Sequence, residues 1–252
     1  MRKIAIMTLK GGTGKTTTAI NLAHGLSLSG KRVLLIDCDP QRSVSVTFGV
    51  EGEKGLDSLL LNGDVEILQV RDNLFIVDSG GRRLIEVEEK LSRIENGKQR
   101  LSIALKRLKG CDYLILDCSP SINLINMNAL YFSDEVIIPV SMDYLSQVGA
   151  DQTLEIIDEV IQVSGKEDLS YRLLATFYDA RTRVSKLVLN ELKAKFGTGL
   201  LNTVIRINTA LKEAPGFNKT IFEHAPLSRG AFDYYRLTEE FLALEEGSLL
   251  EN

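Results

Sequence analysis

The chain has 252 residues, of which 44% are hydrophobic and 25% are charged, with a formal net charge of -4 at pH 7. No uncharged apolar run reaches the roughly 18 residues of a membrane-spanning helix, so the sequence excludes an integral helical membrane protein and indicates a soluble globular one. A chain of this length can still fold as one α/β unit, and we therefore expect a single domain over residues 1–252.

Apolar segments rich in β-branched residues alternate with helical patterns along the chain. The first predicted strand begins at once and leaves no room for a signal peptide, so we expect a cytoplasmic protein. The predicted strands are KIAIMT, RVLLID, NLFIVDS, DYLILDC, EVIIPV, RLLATFY and NTVIR. The predicted helices are GKTTTAINLAHGLSLSG, LINMNALYF, QVGADQTLEIIDEVIQVS and SKLVLNELKAKF. This alternation predicts an α/β fold with a mostly parallel, twisted sheet flanked by helices on both faces.

Two segments have no clear pattern of this kind. Residues 51–73 predict no definite element, and the charged segment RRLIEVEEKLSRIENGK predicts a solvated surface helix. The sequence has no internal repeat, low-complexity tract or long linker that would divide the domain.

A glycine-rich stretch, TLKGGTGKTT, lies between the first predicted strand and the first predicted helix. Gly14, Lys15 and Thr16 fill the last three places of the phosphate-binding motif G-x-x-x-x-G-K-S/T, but Leu9 replaces its first glycine and Lys10 follows. Glycines let the backbone close on phosphate oxygens, the motif lysine neutralises their charge, and the threonine hydroxyl binds Mg²⁺. The sequence therefore predicts a P-loop NTPase fold, with nucleotide-binding residues Gly11, Gly12, Thr13, Gly14, Lys15, Thr16 and Thr17.

Two later predicted strands end in aspartates. LLIDCDPQ contains Asp37 and Asp39, and LILDCSPS contains Asp117. Because ligands of open α/β sheets bind outside the carboxyl ends of the strands, these carboxylates should approach the same phosphates. We predict that Asp117 and Asp37, with Thr16, hold Mg²⁺ and that Asp39 orients the attacking water. A helix-capping role for one of these aspartates is the alternative.

With KGGTGKTT, LLIDCDPQ and YLILDCSPS in this order, the chain resembles the ParA/MinD family of deviant Walker ATPases, most closely the ParA/Soj partition ATPases. The resemblance continues through NALYFSDEVIIPV, YDARTRVSKLVLNELKAKFG and VIRINTALKEAPGFNKTIFEHAPLSRGAFDYYRLTEEFL. It covers most of the chain and is weakest at residues 51–98. It implies ATP and Mg²⁺ as ligands, and a slow ATPase that a ParB-like activator protein stimulates.

The resemblance also implies roles for single residues. Lys10 matches the signature lysine of the family, which reaches across a nucleotide-sandwich homodimer to the phosphates held by the other subunit. A lysine supplied in this way would make dimerisation depend on ATP. The expected catalytic residues are therefore Lys10, Lys15 and Asp39, with Thr16 and Asp37 in the magnesium shell and with Asn208 and Pro215 near the adenine.

Relatives of the ParA type bind DNA non-specifically as ATP dimers, so the resemblance implies double-stranded DNA as a partner and a nucleoid-associated protein. Residues 171–236 contain 11 Lys and Arg against 5 Asp and Glu, which agrees with a phosphate-binding surface. Ala210, however, stands where the family often has an arginine. Without an N-terminal helix-turn-helix region, sequence-specific operator binding is not expected. The predicted DNA contacts are Arg181, Arg183, Lys186, Lys193, Arg206, Lys212 and Lys219, with an ordinary solvated basic face as the alternative for each.

Three other functions remain as alternatives. A MinD-like membrane-cycling ATPase that positions the division site needs a basic amphipathic C-terminal helix, but the charges of FLALEEGSLLEN are all acidic, so no membrane partner is expected. An electron-transfer ATPase like the nitrogenase iron protein needs cluster-binding cysteines, whereas Cys38, Cys111 and Cys118 lie in apolar runs and are predicted to be buried thiols. A metabolic P-loop enzyme needs a second substrate pocket, for which the sequence provides no candidate.

Overall fold

The computed structural model describes residues 1–166 and 169–250, with the side chains of all of these except 144–147 and 246–250. Its strands are β1 (Arg2–Ile6), β2 (Val33–Cys38), β3 (Leu68–Arg71), β4 (Leu74–Val77), β5 (Tyr113–Cys118), β6 (Glu135–Ser141), β7 (Ser170–Tyr178) and β8 (Leu200–Arg206). They form one sheet in the order β3-β4-β2-β5-β1-β6-β7-β8, in which only β3 and β4 pair antiparallel. The predicted, mostly parallel sheet is confirmed.

Helices cover both faces of this sheet. They are α1 (Lys15–Leu28), α2 (Ser43–Phe48), α3 (Leu56–Asn62), α4 (Arg83–Leu91), α5 (Arg100–Ala104), α6 (Leu124–Phe132), α7 (Tyr144–Ser164), α8 (Arg183–Phe196), α9 (Thr209–Glu213), α10 (Ile221–His224) and α11 (Arg229–Leu250). Short 3₁₀ turns span Gly97–Gln99, Gly197–Gly199 and Ala214–Phe217. No helix among these described residues is both long and apolar enough to cross a membrane.

Alternate residues of each central strand serve two separate cores, as expected for a sheet buried on both faces. In β1, Ala5 packs with residues of α3 to α8, whereas Ile4 and Ile6 pack with residues of α1, α2 and α9 to α11. The second core brings α11 against α1, where Gly25 leaves space for the Thr238 side chain; a Cβ on Gly25 would lie 2.1 Å from the Thr238 Oγ1 atom. This packing fixes α1 beneath the loop that precedes it.

The weakly patterned region holds more structure than its sequence indicates. Residues 51–73 contain α3 and the antiparallel edge strand β3, neither of which is predicted. The helix predicted over residues 82–98 ends at Leu91, and the prediction that it is a solvated surface helix is incomplete. Its apolar residues Leu84, Val87 and Leu91 are buried in the first core, because they recur at helical spacing on one face of α4.

The carboxyl ends of β1, β2 and β5 lie side by side at one edge of the sheet. Asp37 and Asp117 occupy paired positions in β2 and β5, and Ile6 of β1 is paired with Asp117. The next residues, Cys38 and Cys118, are also paired in register and are buried free thiols. Cys111 is only partly buried, so the prediction of three buried thiols is correct for two.

Candidate nucleotide-binding site

The glycine-rich loop connects β1 to α1, as the motif predicts. Gly12 and Gly14 have φ values of 73° and 91°, in the left-handed region that favours glycine. Gly14 is the last residue before α1, so the unpaired amides of the first helical turn face the loop and form a partial positive charge. A Cβ on Gly11 or Gly12 would meet nothing within 4 Å. The loop therefore encloses an open space lined by backbone N–H groups, which suits a phosphate group.

Lys15 extends across this loop instead of pointing to solvent. Its Nζ atom donates a hydrogen bond to the backbone oxygen of Lys10, at 2.9 Å, and its side chain is largely buried. Burial lowers the pKa of Lys15, while the negative charges of Asp117 and Asp39, with the Cys118 thiol group, oppose that shift. The ammonium group is thus already placed between the loop backbone and the acidic strand ends.

Asp37 and Asp117 are both fully buried at the strand ends but have different surroundings. The two carboxylate oxygens of Asp37 accept hydrogen bonds from the backbone amides of Asp39 and Val44, each at 3.0 Å. Neither oxygen of Asp117 has a hydrogen-bond partner among the described residues. Burial, and then the neighbouring Asp117 charge, raise the pKa of Asp37 well above its ordinary value.

Burial also raises the pKa of Asp117, to about 7, while the nearby Thr16 hydroxyl and the Lys15 ammonium group oppose this shift. Thr16 lies near the Asp117 carboxyl without meeting the geometry of a hydrogen bond. A buried carboxylate with no partner is costly unless a ligand or cation satisfies it. Unpartnered oxygens on Asp117, beside a threonine hydroxyl, form the hard-oxygen donor set that Mg²⁺ prefers, so the residues fit this ion.

Asp39 lies in a turn just beyond the end of β2. Its side-chain Oδ1 atom accepts a hydrogen bond from the Gln41 amide at 2.9 Å, and its backbone oxygen accepts one from the Arg42 amide at 3.0 Å. The side chain is partly exposed, unlike that of Asp37. Asp39 is therefore closer to solvent than Asp37.

Lys10 forms an ion pair within its own chain. Its Nζ atom lies 2.6 Å from Oδ1 of Asp143, just after β6, and Oδ2 of Asp143 accepts a hydrogen bond from the Ser141 hydroxyl at 2.7 Å. Gly149 of α7 lies close to the lysine stem, and a Cβ there would be 2.9 Å from the Lys10 Cβ atom. The lysine stem thus packs closely against α7, while the side chain as a whole remains 28% exposed.

A cavity of about 330 Å³ lies beside Gly14 and Thr17, at the other side of the loop from Lys10. Asn208 and Pro215, both predicted to lie near the adenine, line this cavity. Oδ1 of Asn208 also accepts a hydrogen bond from the Ala210 amide, so that Asn208 caps the start of α9. The volume falls in the range of small-molecule sites, and most of its surface is apolar. Five further residues line the cavity but belong to no sequence motif that predicts a nucleotide contact: Thr176, Phe177, Ile205, Leu211 and Tyr234.

Phe177 explains how the cavity meets the phosphate loop. It adopts φ 53°, an unusual conformation for a bulky residue, and its ring lies 3.7 Å from the position of a Cβ on Gly14. The preceding Thr176 donates a hydrogen bond from its hydroxyl to the backbone oxygen of Thr13, at 2.8 Å. The only sequence signal for these residues is their place at the carboxyl end of a parallel strand.

The predicted DNA-contacting residues do not form one uniform set. Arg183, Lys186 and Lys193 are exposed on one face of α8, because they are spaced three and seven residues apart. Arg181 is 88% exposed but pairs with Asp179, with its Nη2 atom 2.8 Å from Oδ2. Lys212 and Lys219 are also exposed, and Lys212 lies at the rim of the apolar cavity.

Arg206 differs from the other predicted DNA contacts because it pairs with a buried carboxylate. Its guanidinium group contacts the buried carboxylate of Asp233 through Nε at 3.0 Å and Nη2 at 2.5 Å, and its backbone amide donates to the same carboxylate. The Arg206 side chain is still 36% exposed, but its guanidinium group is held by this carboxylate, so its contact with DNA stays a prediction. Most of the acidic tail that weighs against membrane binding, residues 246–252, lies outside the described side chains.

Comparisons with known proteins show the family of the chain. Residues 1–171 match a family model described as an AAA domain. The chromosome-partitioning ATPase Soj of Thermus thermophilus is 39% identical over 243 residues, which cover 96% of each chain.

Two solved structures resemble the whole chain. A putative plasmid partition protein from Borrelia burgdorferi bound to AMPPNP has a TM-score of 0.78 and 25% identity, covering 96% of this chain and 98% of that one. Cobyrinic acid a,c-diamide synthase from Mycobacterium smegmatis, with an ATP analogue and magnesium bound, has a TM-score of 0.76 and 28% identity, covering 91% and 98%.

Proposed function

The chain belongs to the ParA/MinD family of P-loop ATPases, and from this premise we propose that it is an ATP-dependent dimerisation switch that binds DNA and partitions or positions a large cargo. The observation that carries the proposal is the pair of lysines in one loop. Lys15 lies across the loop of its own subunit, whereas Lys10 packs on α7 and keeps its side chain partly exposed. One lysine serves the bound phosphates, and the other can serve a second subunit.

Binding of the triphosphate uses the loop amides and Lys15 in the subunit that holds it. The cavity beside Phe177 and Pro215 takes the adenine base. Thr16 and Asp117, with Asp37 behind them, would hold Mg²⁺, which when bound neutralises charge on the β- and γ-phosphates. The Asp117 oxygens, which have no partner among the described residues, then acquire one. Nucleotide binding should therefore stabilise the protein, because it gives this buried carboxylate a partner.

Hydrolysis requires a water molecule in line with the γ-phosphate, and Asp39 orients it. Asp39 is close enough to Lys15 to influence its pKa, which agrees with a place beside the terminal phosphate. Lys10 completes the charge compensation only when a second copy of the chain faces the site. Catalysis by the isolated protein should thus be slow, and a ParB-like activator would accelerate it by setting this geometry.

Dimerisation requires Lys10 to exchange one anionic partner for another. In the single chain its ammonium group faces Asp143; in the dimer it would face the phosphates of the opposite subunit. Two phosphate groups offer more negative charge than one half-exposed carboxylate, so ATP favours the exchange and loss of the γ-phosphate reverses it. This exchange is the switch.

Non-specific duplex DNA is the proposed surface on which the dimer works. Three exposed basic residues on α8, namely Arg183, Lys186 and Lys193, can contact DNA phosphates without reading bases. A dimer presents two such rows. The Soj relative is named for chromosome partition, and the Borrelia structure for plasmid partition, so the proposed cargo is a chromosome or plasmid bound through a ParB-like protein. The protein would then be cytoplasmic and associated with the nucleoid.

The test is the salt dependence of duplex DNA binding in the presence of Mg²⁺ and a slowly hydrolysed ATP analogue. Each phosphate contact should contribute a slope of about -0.9 on logarithmic axes. The Arg183→Ala, Lys186→Ala double variant should reduce the slope of the dimer by about two to four, since each subunit loses two charges. The matched control is the Lys106→Ala, Arg107→Ala double variant, which removes the same charge from exposed positions before β5. A flat salt response, or equal losses in both double variants, would refute the α8 surface.

A further inference from the structure

Arg42 stands out in the turn that follows β2, because it has a backbone conformation that favours glycine. Its φ and ψ values are 58° and 33°, and it is the last residue before α2. Non-glycine residues are uncommon in this region unless the surrounding structure holds them there. The contacts of the side chain provide that restraint.

The guanidinium group of Arg42 forms an ion pair with the carboxylate of Asp78, the residue that follows β4. Strand β4 is the neighbour of β2 in the sheet. Its Nη2 atom lies 2.6 Å from Oδ2, and its Nε atom lies 3.2 Å from each carboxylate oxygen. The Asp78 side chain is only 1% exposed, so this two-point ion pair is protected from water on one side. The remaining arm of the guanidinium group contacts Glu51, which is mostly exposed.

The loop after β4 leaves space for the Arg42 side chain. Gly80 and Gly81 both have positive φ values, and a Cβ on Gly81 would lie 3.0 Å from Cδ of Arg42. The Gly80 amide donates to Oδ1 of Asp78 at 2.8 Å and so fixes the orientation of the carboxylate. Both partners of the ion pair are therefore held in place from the β4 side.

The same residue is bonded to the turn that carries Asp39. The Arg42 amide donates to the backbone oxygen of Asp39 at 3.0 Å, and the Gln41 amide donates to the Asp39 carboxylate at 2.9 Å. Residues 39–42 thus form one short unit with two attachments. Asp37 holds its beginning through the Asp39 amide, and Asp78 holds its end through the Arg42 side chain.

We infer that Arg42 is a positioning residue for hydrolysis: its ion pair with Asp78 clamps the Asp39 turn against β4 and sets the place of the Asp39 carboxylate at the phosphates. The inference rests on the proposed role of Asp39. It also assigns a function to the otherwise unexplained region around β4, as the anchor of this turn. Without the clamp, the turn keeps the hydrogen bonds from the Asp39 and Val44 amides to Asp37 but loses its attachment to β4, and Asp39 samples positions from which it does not orient water.

The sharpest test is the Arg42→Gly variant, because glycine adopts φ 58° without strain while the clamp is lost. Single-turnover ATP hydrolysis should slow at least about tenfold, whereas the dissociation constant of a fluorescent ATP analogue should stay within about twofold. Asp78→Asn should slow hydrolysis similarly, and the double variant should be no slower than either single one, since both remove the same clamp. Arg42→Lys, which keeps the charge but not the two-point contact, should recover part of the rate.

Glu51→Gln is the matched control, because it removes only the exposed contact of Arg42 and should leave hydrolysis within about twofold of wild type. A merely structural role for Arg42 would lower the melting temperature and weaken nucleotide binding in step with hydrolysis, and that result would overturn the inference. Asp39→Ala is measured in parallel. If Asp39→Ala hydrolyses ATP slowly but Arg42→Gly hydrolyses it like wild type, the inferred role of Arg42 is wrong and that of Asp39 stands. If Asp39→Ala itself hydrolyses ATP like wild type, the proposed role of Asp39 is wrong, and the inferred role of Arg42 is wrong with it.

Discussion

Replacing Asp117 by asparagine should stabilise the nucleotide-free protein at neutral and alkaline pH while removing its response to Mg²⁺ and ATP. The wild-type carboxylate is fully buried and has no hydrogen-bond partner among the described residues. Burial raises the pKa of Asp117 from 3.8 to about 7. Each pKa unit corresponds to about 1.4 kcal/mol. Ionised Asp117 therefore lowers the unfolding free energy of the nucleotide-free protein at pH 8 by roughly 4 kcal/mol, relative to an acidic pH at which Asp117 is protonated in both states.

The direction of this pH dependence follows from which state, folded or unfolded, holds the proton on Asp117. Between about pH 4 and pH 7 the folded protein keeps a proton on Asp117 that the unfolded chain has released, so the free energy of unfolding falls as pH rises through this window. Above both pKa values the contribution is constant. Asp37 acts in the same direction, because burial and the charge of Asp117 raise its pKa as well. The asparagine side chain of the variant is uncharged at every pH, so the variant lacks the part of this decline that Asp117 contributes.

The assay is urea unfolding of wild type and Asp117→Asn in chelator, without nucleotide, at several pH values from 5 to 8. The variant-minus-wild-type difference in unfolding free energy should increase by about 3 kcal/mol across this range. Any fixed cost of burying the asparagine amide cancels, because it is the same at each pH. Glu95→Gln, at an exposed carboxylate, is the control and should show a nearly constant difference. A difference for Asp117→Asn that stays constant with pH would refute the argument.

Three further predictions concern the phosphate loop. Lys15→Ala should abolish detectable ATP binding in equilibrium titrations, since it removes the cation that lies across the loop; near-normal affinity would contradict the site. Gly12→Ala should lose about 1 kcal/mol of unfolding free energy in chemical denaturation, because Gly12 has a φ of 73°. Gly11→Ala is the control and should lose little, since Gly11 has no positive φ and a Cβ there meets open space. An equal loss in both variants would contradict this prediction. Asp143→Asn should strengthen ATP-dependent dimerisation up to about thirtyfold in sedimentation equilibrium, because each of the two subunits gives up a half-exposed Lys10–Asp143 ion pair that contributes about 1 kcal/mol at most. A weaker dimer would mean that Asp143 also supports the interface.

The phosphate side of the site is predictable because its residues belong to local motifs. Glycines with positive φ, the lysine and the strand-end aspartates need only a strand, a turn and a parallel sheet to be brought together. The register of Asp37 and Asp117 follows from the sheet itself, since parallel strands align their carboxyl ends. Here local sequence and global topology require the same arrangement.

The base cavity and the ion pairs are less predictable because they join distant parts of the chain. Phe177, Ile205 and Tyr234 lie on three different elements and carry no motif. Arg206 counts as a basic residue in the sequence, but Asp233, 27 residues later, neutralises it. The pair between Lys10 and Asp143 spans 133 residues. A count of charges cannot show which of them are paired in the folded chain.

Residues 51–98 illustrate a different limit. The edge strand β3 has only 4 residues and pairs antiparallel with β4, so it lacks the long apolar run of a central parallel strand. In α4, three glutamates and one lysine interrupt an apolar stripe of three residues. Short elements with one buried face have too few residues for periodicity to identify them with certainty.

The most direct test of the account is ATP-dependent binding of a labelled, non-specific DNA duplex, measured by fluorescence anisotropy without nucleotide, with ADP, and with Mg²⁺ and a slowly hydrolysed ATP analogue. Wild type should bind tightly only in the last condition. Lys10→Ala should still bind the nucleotide, because Lys15 and the loop amides remain, but should fail to bind DNA in any condition. DNA binding that is equal in all three conditions, or that Lys10→Ala retains, would contradict a switch operated by the second lysine.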